Sequence, residues 1–368
     1  MNRPIKILHT EWSLGWGGQE IRILSESQAF INKGYEMIIA AQPNSELYKN
    51  STQIRVPTFA LTMNKGINLR AIYHLVRYIK KNNVDIIHTH SSVDSRTAGI
   101  AAKVAGIKVV RSRHISLPIS KSWLTWWQYM KLADKVITSG RDIRNKMIAD
   151  NKMLAKKIVS APAGVDTKIF SEEIDLTNIR PKYNLDKSDF VVGIVSVLRS
   201  WKGHKYLIEA IKMAANELPN IHLIIVGAGP QKENIEQLIN KLDIKERVIL
   251  TGYQANPAIF YKAMDVMVLP SYAGEATSQV LPQAMLMGKP VISTEAGGLS
   301  EVVIHNQTGL IVPAKNSHEI FLAIKALYNN DDLRNKLIKN GKEHALKNFT
   351  FDRMIKTTEN VYKEVLGS

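Results

Sequence analysis

At 368 residues, with 45% hydrophobic and 22% charged positions, the chain can bury a full core and divides most naturally into two domains. It has no cysteine, which excludes disulfides and thiolate metal sites and permits a reducing compartment. The formal charge of +16 is uneven: residues 1–170 carry 26 Lys and Arg against 11 Asp and Glu, a net +15, whereas residues 171–368 carry 23 against 22, a net +1. Such a basic half suits a polyanion: nucleic acid, an acidic membrane leaflet or a phosphorylated glycan.

The opening MNRPIKILHTEW has too short an apolar run for a signal peptide, and nowhere do ~18 apolar residues follow one another. The expectation is a cytoplasmic protein, soluble or peripheral. In chain order, strands are predicted at IKILHT, EMIIAA, DIIHTH, KVVRSR and KVITSG, each followed by a helix-length segment. That alternation implies a parallel sheet. The polar stretch Ala161–Asp189 interrupts it and reads as the interdomain connection, with a linker at 171–189 between domains 1–170 and 190–350. The rhythm then restarts at FVVGIVSVL, IHLIIVGAG, RVILTG, DVMVLPS, KPVISTE and TGLIVP, and from Asn316 onward the pattern is helical. The fold class is α/β: two facing, doubly wound, Rossmann-like domains, whose ligands would bind at the carboxyl ends of the strands.

Motifs cluster at those ends. In HTEWSLGWGGQE the first strand runs into Gly15, Gly17 and Gly18 before a helix opens near Gln19, and glycines there let backbone amides approach an anion. Glu20 stands where a dinucleotide fingerprint needs a third glycine, so that match is incomplete, and a plain turn is an equal reading. In VLRSWKGHKYLIEA, Arg199 and Lys202 precede Gly203 at a strand-to-helix boundary, where two cations can clamp a diphosphate or simply be solvated. VGAGPQKEN repeats the strand–glycine–helix theme. In AGEATSQVLPQAMLMGKPV, Pro282 places a helix start near Ser278, and Gly288 with Pro290 ends it. Glu275 lies just before that helix, where a carboxylate gains ~0.3–1 kcal/mol from the helix dipole or else faces a ligand.

The succession GGQE, RSRH, LRSWKGH, VGAGP, TGY, PSYAGEATSQVLPQAM, GKPVIST and GLSEVV resembles family 4 of the retaining glycosyltransferases over nearly the whole chain. HTHSSVDS and LRSWKGHKYL are most similar to bacterial enzymes of lipopolysaccharide and other cell-surface glycan synthesis. The resemblance implies the GT-B fold, with the last helix, 351–368, crossing back to the first domain. It also implies a nucleotide-sugar donor and a glycan or lipid-linked acceptor. Glu275 matches the first acid of the family's E-x7-E motif, which contacts donor-sugar hydroxyls; the second position, a ribose ligand, is Gln283 here. Arg199 and Lys202 match the diphosphate-binding pair, and His114 matches a histidine beside the donor sugar. These four, His114, Glu275, Lys202 and Arg199, form the implied catalytic set. Gly17 and Gly18, Gly252 and Tyr253, and the helix start at Ser278, Gln279 and Val280 complete the implied donor site.

Neither a cofactor nor a metal is expected. His88 and His90 share a strand face, but there is no cysteine, no adjacent carboxylate cluster and no Asp-x-Asp pair. No nucleic-acid module is recognisable either. Trp123, Trp126, Trp127 and Tyr129 lie between Lys121 and Lys131 at helical spacing, either as a buried face or as a membrane-interface helix. With the +15 half they suggest attachment to the inner face of the cytoplasmic membrane. A good leaving group and a cation clamp remove the need for a carboxylate dyad. The resemblance implies that transfer retains the anomeric configuration, by front-face attack, and the expected activity is metal-independent hexosyl transfer. A nucleotide-sugar epimerase of the same fold and a polyanion-binding protein are the alternatives.

Overall fold

A computed structural model describes residues 3–367. The chain forms two compact units: the first runs to Pro162 and resumes at Met354, and the second is Ala163–Arg353.

The first unit is built on seven strands: β1 (Lys6–Glu11), β2 (Glu36–Ala41), β3 (Thr58–Ala60), β4 (Ile86–Thr89), β5 (Lys108–Arg113), β6 (Lys135–Thr138) and β7 (Ile158–Ser160). All pair in parallel, in the order β3-β2-β1-β4-β5-β6-β7. Ile7, Leu8, Ile39, Ile86, Ile87 and Val110 are wholly buried, as expected of a sheet with helices on both faces. The order reverses between β1 and β4, the switch point at which open α/β sheets bind ligands. The helix Phe351–Leu366 buries Met354, Ile355, Thr358, Val361, Tyr362 and Val365, a helical stripe. Its carboxylates anchor it to the first unit: Glu359 lies 2.7 Å from Lys33, and Glu364 lies 2.5 Å from Lys135.

The second unit has six strands: β8 (Phe190–Val195), β9 (Ile221–Val226), β10 (Val248–Gly252), β11 (Val266–Leu269), β12 (Val291–Ser293) and β13 (Leu310–Ile311). They too are parallel, in the order β10-β9-β8-β11-β12-β13, with the reversal between β8 and β11. Gly193 in β8 is required by packing, because a Cβ there would lie 2.0 Å from the sulfur of Met264.

Two features depart from the sequence reading. β3 and β7 were not foreseen; each is a three-residue edge strand, half-buried or exposed along most of its length, so no buried apolar run marks it. Residues 163–189 are not a free connection, because Val165, Phe170, Ile179 and Leu185 are buried in the core of the second unit. Their irregular spacing follows no helical or strand repeat, which is why the stretch reads as a linker.

Candidate active site

The switch point of the second unit brings two loops together. The loop after β8 carries Arg199 to Gly203, and the loop after β11 carries Ser271 to Gln279. Gly203 has φ +78°, and a Cβ there would stand 2.1 Å from the carbonyl oxygen of Pro270, so only glycine allows this approach. The amide of Tyr272 donates to the Trp201 carbonyl at 2.9 Å, tying one loop to the other. Gly297, with φ +58°, does the same from the loop after β12: its missing Cβ leaves room for the Glu275 carbonyl, which accepts from the Gly298 amide at 3.1 Å.

Held in this way, the Glu275 carboxylate is 2.5 Å from Lys202 Nζ and accepts from Ser271 Oγ at 2.6 Å. The pair is largely buried, with 6% of the Glu275 side chain and 20% of the Lys202 side chain exposed. Glu275 is therefore engaged by side chains across the switch point, which replaces the helix-dipole account of its position. Arg199 is exposed, with its guanidinium 5.2 Å from the ring centre of Trp201. His204, at the start of the next helix, is held uncharged by burial beside Lys202, its pKa lowered to about 4.

The helix expected near Ser278 begins at Val280 and ends at Leu286, with Gln279 capping it. Ser278 lies ahead of it, and the Gln279 side chain is engaged elsewhere, its Nε2 donating to the Gly164 carbonyl at 2.9 Å. Gln283 Oε1 accepts from the buried Tyr261 hydroxyl at 3.0 Å, so the amide nitrogen is the end left for other partners. Gly252 closes β10 at φ +70°, and Tyr253 beyond it is 77% exposed.

In the first unit, Gly17 is extended, at φ −162°, and Gly18 opens the helix Gly18–Asn32. A Cβ on Gly18 would meet nothing within 4 Å, and one on Gly17 only an ordinary contact with Glu20, so packing within the unit demands neither glycine. Glu11 lies below this loop, accepting from the Ser13 amide at 2.7 Å and from the Gln19 side chain. Burial pushes the Glu11 pKa up to about 8, with Asp94 adding to the shift. His114 follows β5, with its Nε2 3.0 Å from His90 Nδ1. His9 and His88 are register partners on β1 and β4, and with His90 they place three ring nitrogens within 4.8 Å of one another. Those nitrogens are hydrogen-bonded to one another, to Ser112 and to Tyr362, a donor set already in use.

The model of the glycosyltransferase family 4 matches residues 16–169, and that of the glycosyl transferases group 1 matches residues 175–344. Together they span both units. The chain is a family 4 glycosyltransferase. Among its relatives, the N-acetyl-alpha-D-glucosaminyl L-malate synthase of Bacillus anthracis is 24% identical over 360 residues, covering 95% of this chain and 90% of that protein. The Escherichia coli UDP-Gal:alpha-D-GlcNAc-diphosphoundecaprenol alpha-1,3-galactosyltransferase is 23% identical over 380 residues, covering 98% and 97%. Anabaena HepE, solved in complex with UDP, superposes with a TM-score of 0.86 at 21% identity, covering 99% of this chain and 100% of that one. The architecture of this glycosyltransferase is accordingly GT-B.

Sequence reasoning missed Ser271, which shares the carboxylate of Glu275, and Gly297, which seats its backbone. A serine two residues past a strand carries no signal of its own, and the role of Gly297 depends on a loop 22 positions away. In the aromatic segment, the structure divides the residues. Trp123 is 72% exposed, whereas Tyr129 is buried beneath the Arg111 guanidinium, 3.6 Å from its ring centre.

Proposed function

We propose that this glycosyltransferase moves a sugar from a nucleotide-sugar donor to a glycan or lipid-linked acceptor in bacterial cell-surface polysaccharide synthesis, with retention and without a metal ion. The observation that carries the reading is the Lys202–Glu275 pair, one cation and one carboxylate held at the ligand-binding end of the second sheet. Lys202, with Arg199 three positions before it on the same loop, supplies the charge that a leaving diphosphate needs, and Glu275 accepts from the hydroxyls of the donor sugar. The bond from the anomeric carbon to the phosphate oxygen breaks, and its electron pair stays with the diphosphate. The acceptor oxygen bonds to the same face, and its proton passes to that phosphate oxygen. No protein nucleophile is used.

In the first unit, Gly17 and Gly18 present backbone where no side chain of the protein needs the space, which suits a ligand phosphate. His114 stands near the sugar. Gly252 and Tyr253 meet the base, Gln283 meets the ribose, and the amides of Ser278, Gln279 and Val280 meet the nucleotide. The name of the Escherichia coli relative, a transferase acting on a diphosphoundecaprenol-linked sugar, and the UDP complex of HepE both support this division between donor and acceptor. A lipid-linked acceptor also gives the +15 half a role, attaching the protein to an anionic inner leaflet. No helix among the described residues is long and apolar enough to cross a membrane.

The direct check is heat unfolding with a panel of nucleotide sugars. A donor at 100 times its dissociation constant adds ~2.7 kcal/mol, a shift of several degrees in Tm. One sugar nucleotide is expected to protect more than the free nucleotide, and protection by none would refute the assignment.

A further inference from the structure

Four buried or half-buried histidines, one serine and one tyrosine make a continuous run of contacts in the first unit. Ser112 Oγ is 2.8 Å from His88 Nε2, and His88 Nδ1 is 2.6 Å from the Tyr362 hydroxyl. The same hydroxyl is 3.4 Å from His9 Nε2; His9 Nδ1 is 2.8 Å from His90 Nε2, and His90 Nδ1 is 3.0 Å from His114 Nε2. Each imidazole uses one nitrogen toward each neighbour. His9 and His88 come from β1 and β4, His90 and His114 follow β4 and β5, and Tyr362 comes from the last helix.

Proton counting makes the run directional. An uncharged imidazole has one donor and one acceptor, so the sense of the bond at one nitrogen fixes the other. The Tyr362 oxygen can accept twice, and there the sense carries on because, with His88 donating, His9 Nε2 is the one side-chain acceptor among the described residues for its buried hydrogen. Burial lowers the pKa of every one of the four histidines, with Arg22 adding to the effect, and so keeps them uncharged. Ser112 is 3% exposed, and among the described residues His88 is its one side-chain partner. Its hydrogen therefore goes to His88 Nε2; the reverse sense would leave a buried hydroxyl without an acceptor. His88 Nδ1–H then donates to Tyr362, Tyr362 to His9 Nε2, His9 Nδ1–H to His90 Nε2, and His90 Nδ1–H to His114 Nε2.

We propose that this one-way chain holds His114 in its Nδ1–H tautomer, with Tyr362 of the last helix as the relay that connects it to the Ser112 anchor. His9, His88, His90 and Tyr362 are positioning residues, and the nitrogen that His114 leaves open is a donor, fit to bond a sugar hydroxyl and unfit to act as a base. The functional half of this inference rests on His114 facing the donor sugar, as assigned above.

The test is proton-coupled nitrogen NMR of the whole protein labelled at its ten histidines, with His9, His88, His90 and His114 assigned by single substitution. These four are expected as uncharged Nδ1–H tautomers from pH 8 down to pH 5. An Nε2–H signal at His114 would overturn the chain, whatever the activity. So would retention of one equivalent of added zinc with loss of all four signals, which would make the cluster a metal site. In Tyr362→Phe, and independently in Ser112→Ala, the Nε2–H tautomer should emerge at His114. Sugar transfer should fall three- to tenfold in kcat with donor KM unchanged. Tautomers that shift while kcat stays constant would overturn the role given to the chain. A wild-type protein that transfers no sugar but shows the four Nδ1–H signals would refute the proposed function and leave the chain standing.

Discussion

Glu275 has three claims on its one carboxylate: Lys202, Ser271 and the donor sugar assigned to it. The first two keep it ordered before any ligand arrives, so little is left to organise on binding. Sugar hydroxyls donating to a charged group contribute ~1.5–3 kcal/mol each, and Glu275→Ala should lower kcat roughly tenfold to several hundredfold. Stability should fall far less than activity, because Lys202 keeps a fifth of its side chain in water and can hydrate when the carboxylate is gone. A Tm loss with unchanged kinetics would return Glu275 to a purely structural role. Gln283 differs in kind. Its carbonyl already accepts from Tyr261, and that hydroxyl keeps the Val280 carbonyl, 3.2 Å away, as a second acceptor. Gln283→Glu should therefore be tolerated, and Gln283→Ala should raise the donor KM with kcat nearly constant, as donor-concentration kinetics would read directly. At this scale the sequence is informative where a residue type at a strand end is chemically unusual, as with Glu275 and Lys202. It is silent on Ser271 and on the histidine run, whose members lie up to 353 positions apart and meet only through strand pairing and the last helix.

Among the elements, the two switch points and the last helix carry the account. Eleven of the strands are visible because they lie in short apolar runs, as parallel strands buried on both faces do. The edge strands β3 and β7 are not, having three residues each and half-exposed positions. The meeting of β1, β4, β5 and the last helix also sets a pH response. Unfolded, the four histidines take up protons near pH 6.5, whereas in the folded unit burial holds His9 to about 3 and the other three well below their usual value. Below pH 6.5 the unfolded chain thus binds more protons, and stability is lost as pH falls, by ~1.4 kcal/mol per pH unit for each histidine still uncharged in the fold. Glu11 acts in the opposite sense: with its pKa raised to about 8, its contribution is present below 4.5 and is lost as pH rises through 8. Four groups outweigh one, so Tm should drop steeply between pH 6.5 and pH 5. A flat or rising Tm over that range would contradict the uncharged state of the cluster.

For the whole molecule, the division of labour proposed above has a counterpart in charge as well as in motif. The +15 carried by residues 1–170 against +1 for the remainder has no counterpart in the fold, since both units are parallel sheets of similar build. It fits a surface that meets an anionic leaflet. Co-sedimentation with vesicles should rise with anionic lipid and fall between 0.05 and 0.5 M salt, roughly the range over which the Debye length shrinks from about 14 to 4 Å. Equal binding to neutral vesicles, or binding to neither, would contradict it. The return of the chain from the second unit to the first is only partly legible from sequence: helical periodicity marks the last segment, but not the unit it joins. The measurement that tests the central claim most directly is transfer of a labelled sugar from its preferred nucleotide donor to a lipid-linked or glycan acceptor, in excess chelator, with the product anomer read by NMR. The account predicts undiminished transfer and the donor's own anomeric configuration. Loss of transfer restored by Mg²⁺ or Mn²⁺, or an inverted product, would contradict it.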